Sequence, residues 1–89
     1  MEFRWNAWNL GHVCEHGVLP MEAEWVANHG QAPYPAYAGD GKWRVRGQTR
    51  EGRFLQVIFV VDPDETAYVI HARPLTEREK SQLRRRWRR

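Results

Sequence analysis

The stretch RFLQVIFVVDPDETAYVIHAR, Arg53 to Arg73, decides how this chain folds. Phe54 to Val61 is an apolar run of strand formers interrupted only by Gln56. Asp62-Pro63-Asp64-Glu65 is turn chemistry, and Thr66 to Arg73 is a second run that ends in polar residues. The pattern predicts a β-hairpin. A four-residue loop sets Val61 opposite Thr66, which carries Gln56 opposite His71 and Phe54 opposite Arg73.

Upstream, Lys42 to Thr49 (KWRVRGQT) reads as a preceding strand joined through Arg50-Glu51-Gly52. With Gly52 in the left-handed conformation that joint is a three-residue loop, so Thr49 faces Arg53 and Arg46 faces Gln56. A two-residue loop would slip the strand by one and send Arg44 and Arg46 to the other face. In the three-residue register, one face carries Trp43, Val45, Gly47, Leu55, Val57, Phe59, Val61, Tyr68, Ile70 and Ala72 and is the expected core. The other carries Arg44, Arg46, Gln48, Gln56, His71 and Arg73 beside Phe54, Ile58, Val60 and Val69. Its cationic row Arg46–Gln56–His71, flanked by Arg44 and Arg73, is the candidate site.

The flanks complete an α+β pattern: two N-terminal helices, a three-stranded antiparallel sheet and a basic C-terminal helix. Met1 to Trp5 is an edge strand or an arm. Asn6 or Asn9 can cap a helix over Leu10 to His16 that Gly17 stops, and Pro20 opens a second helix, Pro20 to Asn28, whose Met21 and Trp25, with Val26 as a further candidate, give it an apolar side. These two helices are the expected cover for the core face. Gln31 to Gly41, with its prolines and glycines, reads as a loop. Thr76-Glu77-Arg78-Glu79 is a capping box that starts a helix from Glu77 to about Trp87, within a basic segment 76–89.

Eighty-nine residues make one domain, whose folding buries only about 60 to 65% of the extended chain's surface, so the core must be thin. No apolar segment approaches the roughly 20 residues of a membrane span and no basic-then-apolar signal pattern opens the chain, which predicts a soluble cytoplasmic protein without a membrane partner. One cysteine, Cys14, excludes an internal disulfide and reads as a packing residue of the first helix. The charge is unevenly spread. Met1 to Asp40 holds one arginine and no lysine against five acidic residues, whereas Arg78 to Arg89 holds seven Lys or Arg and one Glu. The cation-rich half, including Lys42, Arg44, Arg53, Arg84, Arg85 and Arg86 with Gln56, suits the phosphates of RNA or an acidic protein partner.

His12-Val13-Cys14-Glu15-His16 matches the H-x-x-E-H pattern of inverted zinc peptidases, yet such an enzyme needs a third ligand on another element, and His16 equally serves to close a helix. Neither a Gly-rich phosphate loop nor an acidic cluster for magnesium is visible, so no cofactor or metal is expected. A cation row with one histidine suits RNA cleavage through the 2′-hydroxyl: arginines hold the phosphate and stabilise charge at phosphorus, and an imidazole moves a proton. A polar strand end is also what the solvated margin of a sheet looks like. Trp5, Trp8, Trp25 and Trp43 read as core, whereas Trp87 inside the arginine run is open to either packing or base stacking.

Trp5-Asn6, the His16-Gly17-Val18 step, Gly47, Gly52-Arg53, Val69-Ile70-His71-Ala72-Arg73, Thr76 and Glu79-Lys80 together resemble the BrnT-type toxins, whose shared pattern runs W-(D/N), KHGV, G, GR, I-I-S-A-R, T and E-R. The resemblance spans Trp5 to Lys80. It implies a RelE-like fold, a toxin that arrests translation as a metal-independent endoribonuclease on mRNA, free or on the ribosome, and an antitoxin that binds and neutralises it. By position, His16 matches the family's HG histidine and Arg73 its strand-end arginine, while Lys42 or Arg44 stands near its arginine ahead of the Gly47 strand. Glu15 stands where the family has lysine, His71 where it has serine, Tyr68 where it has arginine and Leu83 where it often has tyrosine. The expected catalytic set is His71, Arg73, Arg46 and His16. The class alternative is a non-catalytic module that binds nucleic acid or an acidic protein.

Overall fold

In the computed structural model, which describes residues 1–88, the chain runs β1 (Phe3–Arg4), α1 (Ala7–Glu15), α2 (Pro20–Asn28), β2 (Ala36–Tyr37), β3 (Lys42–Gln48), β4 (Phe54–Val61), β5 (Ala67–Pro74) and α3 (Glu77–Trp87). Arg89, the last residue of the expected basic segment, lies outside the described residues. The α+β class, the two N-terminal helices and the C-terminal helix are as expected. The sheet is larger than expected: five strands in the order β1-β5-β4-β3-β2, with β1 parallel to β5 and the other pairings antiparallel. The two added strands are two residues each: β1 takes the edge-strand alternative read for Met1 to Trp5, whereas β2, too short for alternation to show, hides in the proline- and glycine-bearing loop.

The core lies between the sheet and the first two helices. Val13 and Val18 from the α1 end and Ala23, Val26 and Ala27 from α2 close over Val45, Leu55, Val57, Phe59, Ala67, Val69 and Ala72, all buried. The buried face of α2 is thus its small residues; Met21 is 72% exposed and Trp25 stacks on His29 at 3.8 Å. Cys14 and Trp8, expected to pack, are both exposed. Helix α1 starts at Ala7 because Asn6 caps it: Asn6 Oδ1 accepts from the Trp8 and Asn9 amides, and Asn9 Oδ1 accepts from the Asn6 amide at 2.7 Å. At the other end Gly17 takes φ +72°, letting Val18 N–H reach back to Val13 O and its side chain enter the core.

The β3–β4 turn follows the three-residue reading, with Gly52 at φ +101°, Thr49 N–H donating to Arg53 O at 2.7 Å and Arg46 opposite Gln56. The β4–β5 turn does not have the expected four-residue form. It closes one residue earlier, as Pro63-Asp64-Glu65 with Glu65 at φ +70°, Asp62 N–H donating to Thr66 O, and Val61 opposite Ala67. That slip exchanges Tyr68 and Val69: Val69 goes to the core and Tyr68 to the far face, opposite Val60. A bulge then follows, since Phe59 pairs with Val69 but Ile58 with His71, leaving Ile70 over. The two slips cancel in parity. His71 and Arg73 flank buried Ala72 and keep the far face, each two residues displaced from its expected partner.

Gly30, just past α2, is held by close approach: a Cβ there would stand 2.6 Å from Val45 Cγ1, inside the core. Gly11 in α1 has nothing within 4 Å of such a Cβ. Gly30→Ala is therefore expected to destabilise by about 1–3 kcal/mol, and Gly11→Ala to stabilise by about 0.5–1 kcal/mol, both read by urea unfolding; equal effects would contradict the packing described.

Candidate functional site

The far face of the sheet has a covered half and an open half. Over the covered half lies α3, anchored by Leu83, which is buried, and by Trp87 against Phe54 at 5.8 Å. Trp87 is thereby a packing residue. Beneath the first turn of α3, the row read as Arg46–Gln56–His71 is instead Arg46–Gln56–Arg73, a consequence of the early β4–β5 turn and the β5 bulge together. A carboxylate stands over that row. Arg73 Nη1 and Nη2 donate to Glu79 Oε1 and Oε2 at 2.8 Å each, and Arg46 Nη2 donates to Oε2 at 3.0 Å. Arg46 Nε donates to Gln56 Oε1 at 2.9 Å, which gives the oxygen of this buried side chain its partner. Glu79 Oε1 also accepts from the Thr76 amide at 2.8 Å, so the capping box and the ion pairs share one carboxylate. The Arg73 guanidinium, the Thr76 amide and Arg46 hold Glu79 down to about 2, and Glu79 in turn raises Arg73.

The open half carries Arg44 opposite Ile58 and Ile58 opposite His71. Arg44 and His71 are two strand spacings apart, about 10 Å between backbones. His16, turned out by the Gly17 bend at the close of α1, brings its ring to 5.6 Å from that of His71, the planes tilted by 59°. Two imidazoles from distant parts of the sequence thus meet at the free margin of β5. Partial burial, then the charge of Arg73, then His16 and His12, press the His71 imidazole below its ordinary value, so it is the neutral, proton-accepting form that the site favours near pH 7. Beside this pair, Trp8 is 55% exposed, edge-on to His12 at 4.1 Å and stacked at 6.3 Å on Tyr68, which Arg4 covers at 4.0 Å.

The remaining expected cations divide. Lys42 begins β3, exposed, on the same face as Arg44. Arg85 and Arg86 line, with Tyr34, Arg44, Arg46 and Gln82, a cavity of about 450 Å³ between β3 and α3. Arg84 lies over the Phe54 ring at 4.9 Å, a packing contact. Arg53 is committed to α2: its Nη1 donates to Glu22 Oε1 at 2.7 Å and to Gly17 O at 3.0 Å, so the structure places it with the helix layer rather than the candidate site. In the H-x-x-E-H run, His12 Nδ1 faces Glu15 at 3.7 Å while His16 turns to His71. Among the described residues no three His, Cys, Asp or Glu side chains converge as metal ligands.

The residues that sequence reasoning passed over are Tyr34, Gln82, Trp8, Tyr68 and the pairing role of Glu79. Only Glu79 had a signal, three places after Thr76 at the end of its capping box; the others depend on tertiary placement. Among the described residues no helix is long and apolar enough to cross a membrane. Comparison with protein-family models, with curated proteins and with solved structures finds no match.

Because folding depresses Glu79, its contribution is full above the ordinary carboxylate value of 4.5 and is lost as the pH falls from there toward 2. Glu79→Gln is expected to lower stability at pH 7 by about 1.5–3 kcal/mol, with the gap to wild type narrowing at pH 3 in urea melts. A gap that is the same at both pH values would remove the ion pair as its cause.

Proposed function

We propose that the protein is a metal-independent endoribonuclease, of the kind found as the toxin of a toxin–antitoxin pair, with His16 and His71 as its acid–base couple. The observation that carries this reading is the 5.6 Å approach of the two imidazoles at the open margin of the cationic face. RNA carries its own nucleophile. One imidazole takes the 2′-hydroxyl proton as that oxygen attacks phosphorus; the P–O5′ bond breaks and the second imidazole protonates the leaving oxygen, giving a 2′,3′-cyclic phosphate and a 5′-hydroxyl. His71, with its depressed proton affinity, suits the base, and exposed His16 the acid. Arg44, Arg46 and Arg73 against the single carboxylate of Glu79 leave a positive field for charge developing at phosphorus. Arg46 and Arg73 act in this reading through position and field rather than by gripping phosphate, since Glu79 already occupies them. The resemblance to BrnT-type toxins, in which the HG histidine is matched by His16, supports the same class and with it mRNA, the ribosome and a neutralising antitoxin as partners.

A second reading, a non-catalytic module that binds nucleic acid or an acidic protein through this face, is favoured by Glu79: two of the cations expected to act are already paired. Purified protein incubated with mRNA in EDTA separates the two. Cleavage is expected, with His71→Ala and His16→Ala each slower by about 10²–10⁴-fold, and with the acid limb of the wild-type pH profile lying below the 6.5 of an ordinary imidazole. Absence of cleavage on both free and ribosome-bound RNA would leave only the binding module. Growth arrest on expression, relieved by the product of a neighbouring gene, would support the toxin assignment.

A further inference from the structure

Arg44 is a cation of this face that Glu79 does not reach. It lies midway along β3, with Ala36 of β2 on one side and Ile58 of β4 on the other, so its stem crosses apolar neighbours and its head group must find a partner elsewhere. Among the described residues none accepts a hydrogen bond from its buried Nε. A buried unpaired donor is costly, and a half-buried guanidinium keeps one where a ligand completes its bonding.

The surroundings say what that ligand is. The cavity of about 450 Å³ in front of Arg44 is walled by three further arginines, Arg46, Arg85 and Arg86, and by the neutral donors Tyr34 and Gln82, with no carboxylate among its lining. Arg85 and Arg86 follow Gln82 by three and four places in α3, so one helix face delivers all three. The clamp at Glu79 fixes α3 over the sheet and thereby sets that face against β3. Glu79 offsets Arg46, but Arg44, Arg85 and Arg86 gathered this closely repel one another unless an anion lies between them. Planar forks from two elements match the tetrahedral oxygens of a phosphate, which they bind in bidentate fashion.

We propose that this cavity is a phosphate site, taking either a backbone phosphate of single-stranded RNA or the phosphate of a free nucleotide, with Arg44 as its floor. It is separate from the histidine couple and stands whether or not the protein cleaves RNA. The cation set differs as well: Arg85 and Arg86 belong to the cavity alone, and Arg73 to the histidine side.

The test uses the full chain with His71→Ala, so that RNA stays intact, and three probes at matched ionic strength: inorganic phosphate, adenosine 5′-monophosphate and a 12-nucleotide RNA. Phosphate or the nucleotide is expected to raise the melting temperature where chloride does not. Arg44→Met, which keeps the stem and removes the orphan donor, and Arg85→Gln with Arg86→Gln are each expected to abolish that rise. Without added anion Arg44→Met should melt no lower than its parent, which shows the fold intact. If the occupant is a backbone phosphate, Arg44→Met also weakens RNA binding about tenfold and lowers the slope of log affinity against log salt by about 0.7. A response to the small anions with unchanged RNA affinity assigns the site to a free nucleotide. Equal responses of parent and Arg44→Met to all three probes, or no response in the parent, would overturn the proposal.

Discussion

One carboxylate organises the far side of this molecule. Glu79 closes the first turn of α3 by accepting from Thr76 N–H, and the same two oxygens take three N–H groups from Arg46 and Arg73, the two ends of one cross-strand row. A helix so rich in arginine has little apolar surface to hold it down: Leu83 is its buried residue, helped by Trp87 on Phe54. The ion pairs therefore supply the direction that hydrophobic contact alone leaves loose. They are half-screened rather than deeply buried, the setting in which charge-assisted, bidentate geometry contributes most without the full desolvation cost of an interior pair.

From that anchor the division of the cationic face follows. Two arginines are spent on holding α3, so the groups that remain are those the clamp does not reach: Arg44 on the open row, Arg85 and Arg86 on the helix face turned toward β3, and the imidazoles at the margin of β5. The bulge at Ile70 matters as much. Without it the early closure of the Pro63-Asp64-Glu65 turn would have carried His71 and Arg73 through to the core side, where a guanidinium beside Val57 and Phe59 has no partner. The extra residue restores both to the far face.

Much of this was legible in the sequence. The Thr76–Glu79 box, the span of α2, the Gly52 turn and the pairing of Arg46 with Gln56 all follow from local chemistry, and each is found where that chemistry puts it. The β4–β5 register was not legible, because Glu65 adopts a positive φ that glycine would have announced and glutamate does not. Nor does alternation reveal a bulge, since Tyr68, Val69 and Ile70 are all good strand residues and any of them can face either way. The site was half legible. Residue types at His71, Arg73, Arg44 and Arg46 pointed to phosphate chemistry, but their division into clamp and open face depends on a helix docking that no local pattern encodes. The nearness of His16 to His71, some 55 residues apart, is of the same kind: it needs both the Gly17 bend and the docking of α1 on β5.

The central claim is that two imidazoles from opposite ends of the chain work on one phosphate. It is tested most directly by following the histidine ring resonances by NMR while adding a short oligonucleotide whose 2′-hydroxyl is replaced by hydrogen, which binds but cannot react. The account predicts that His16 and His71 shift together on a single isotherm, while His29, stacked on Trp25 at the far end of α2, stays still. Saturable binding that moves neither His16 nor His71, or only one of them, would contradict it.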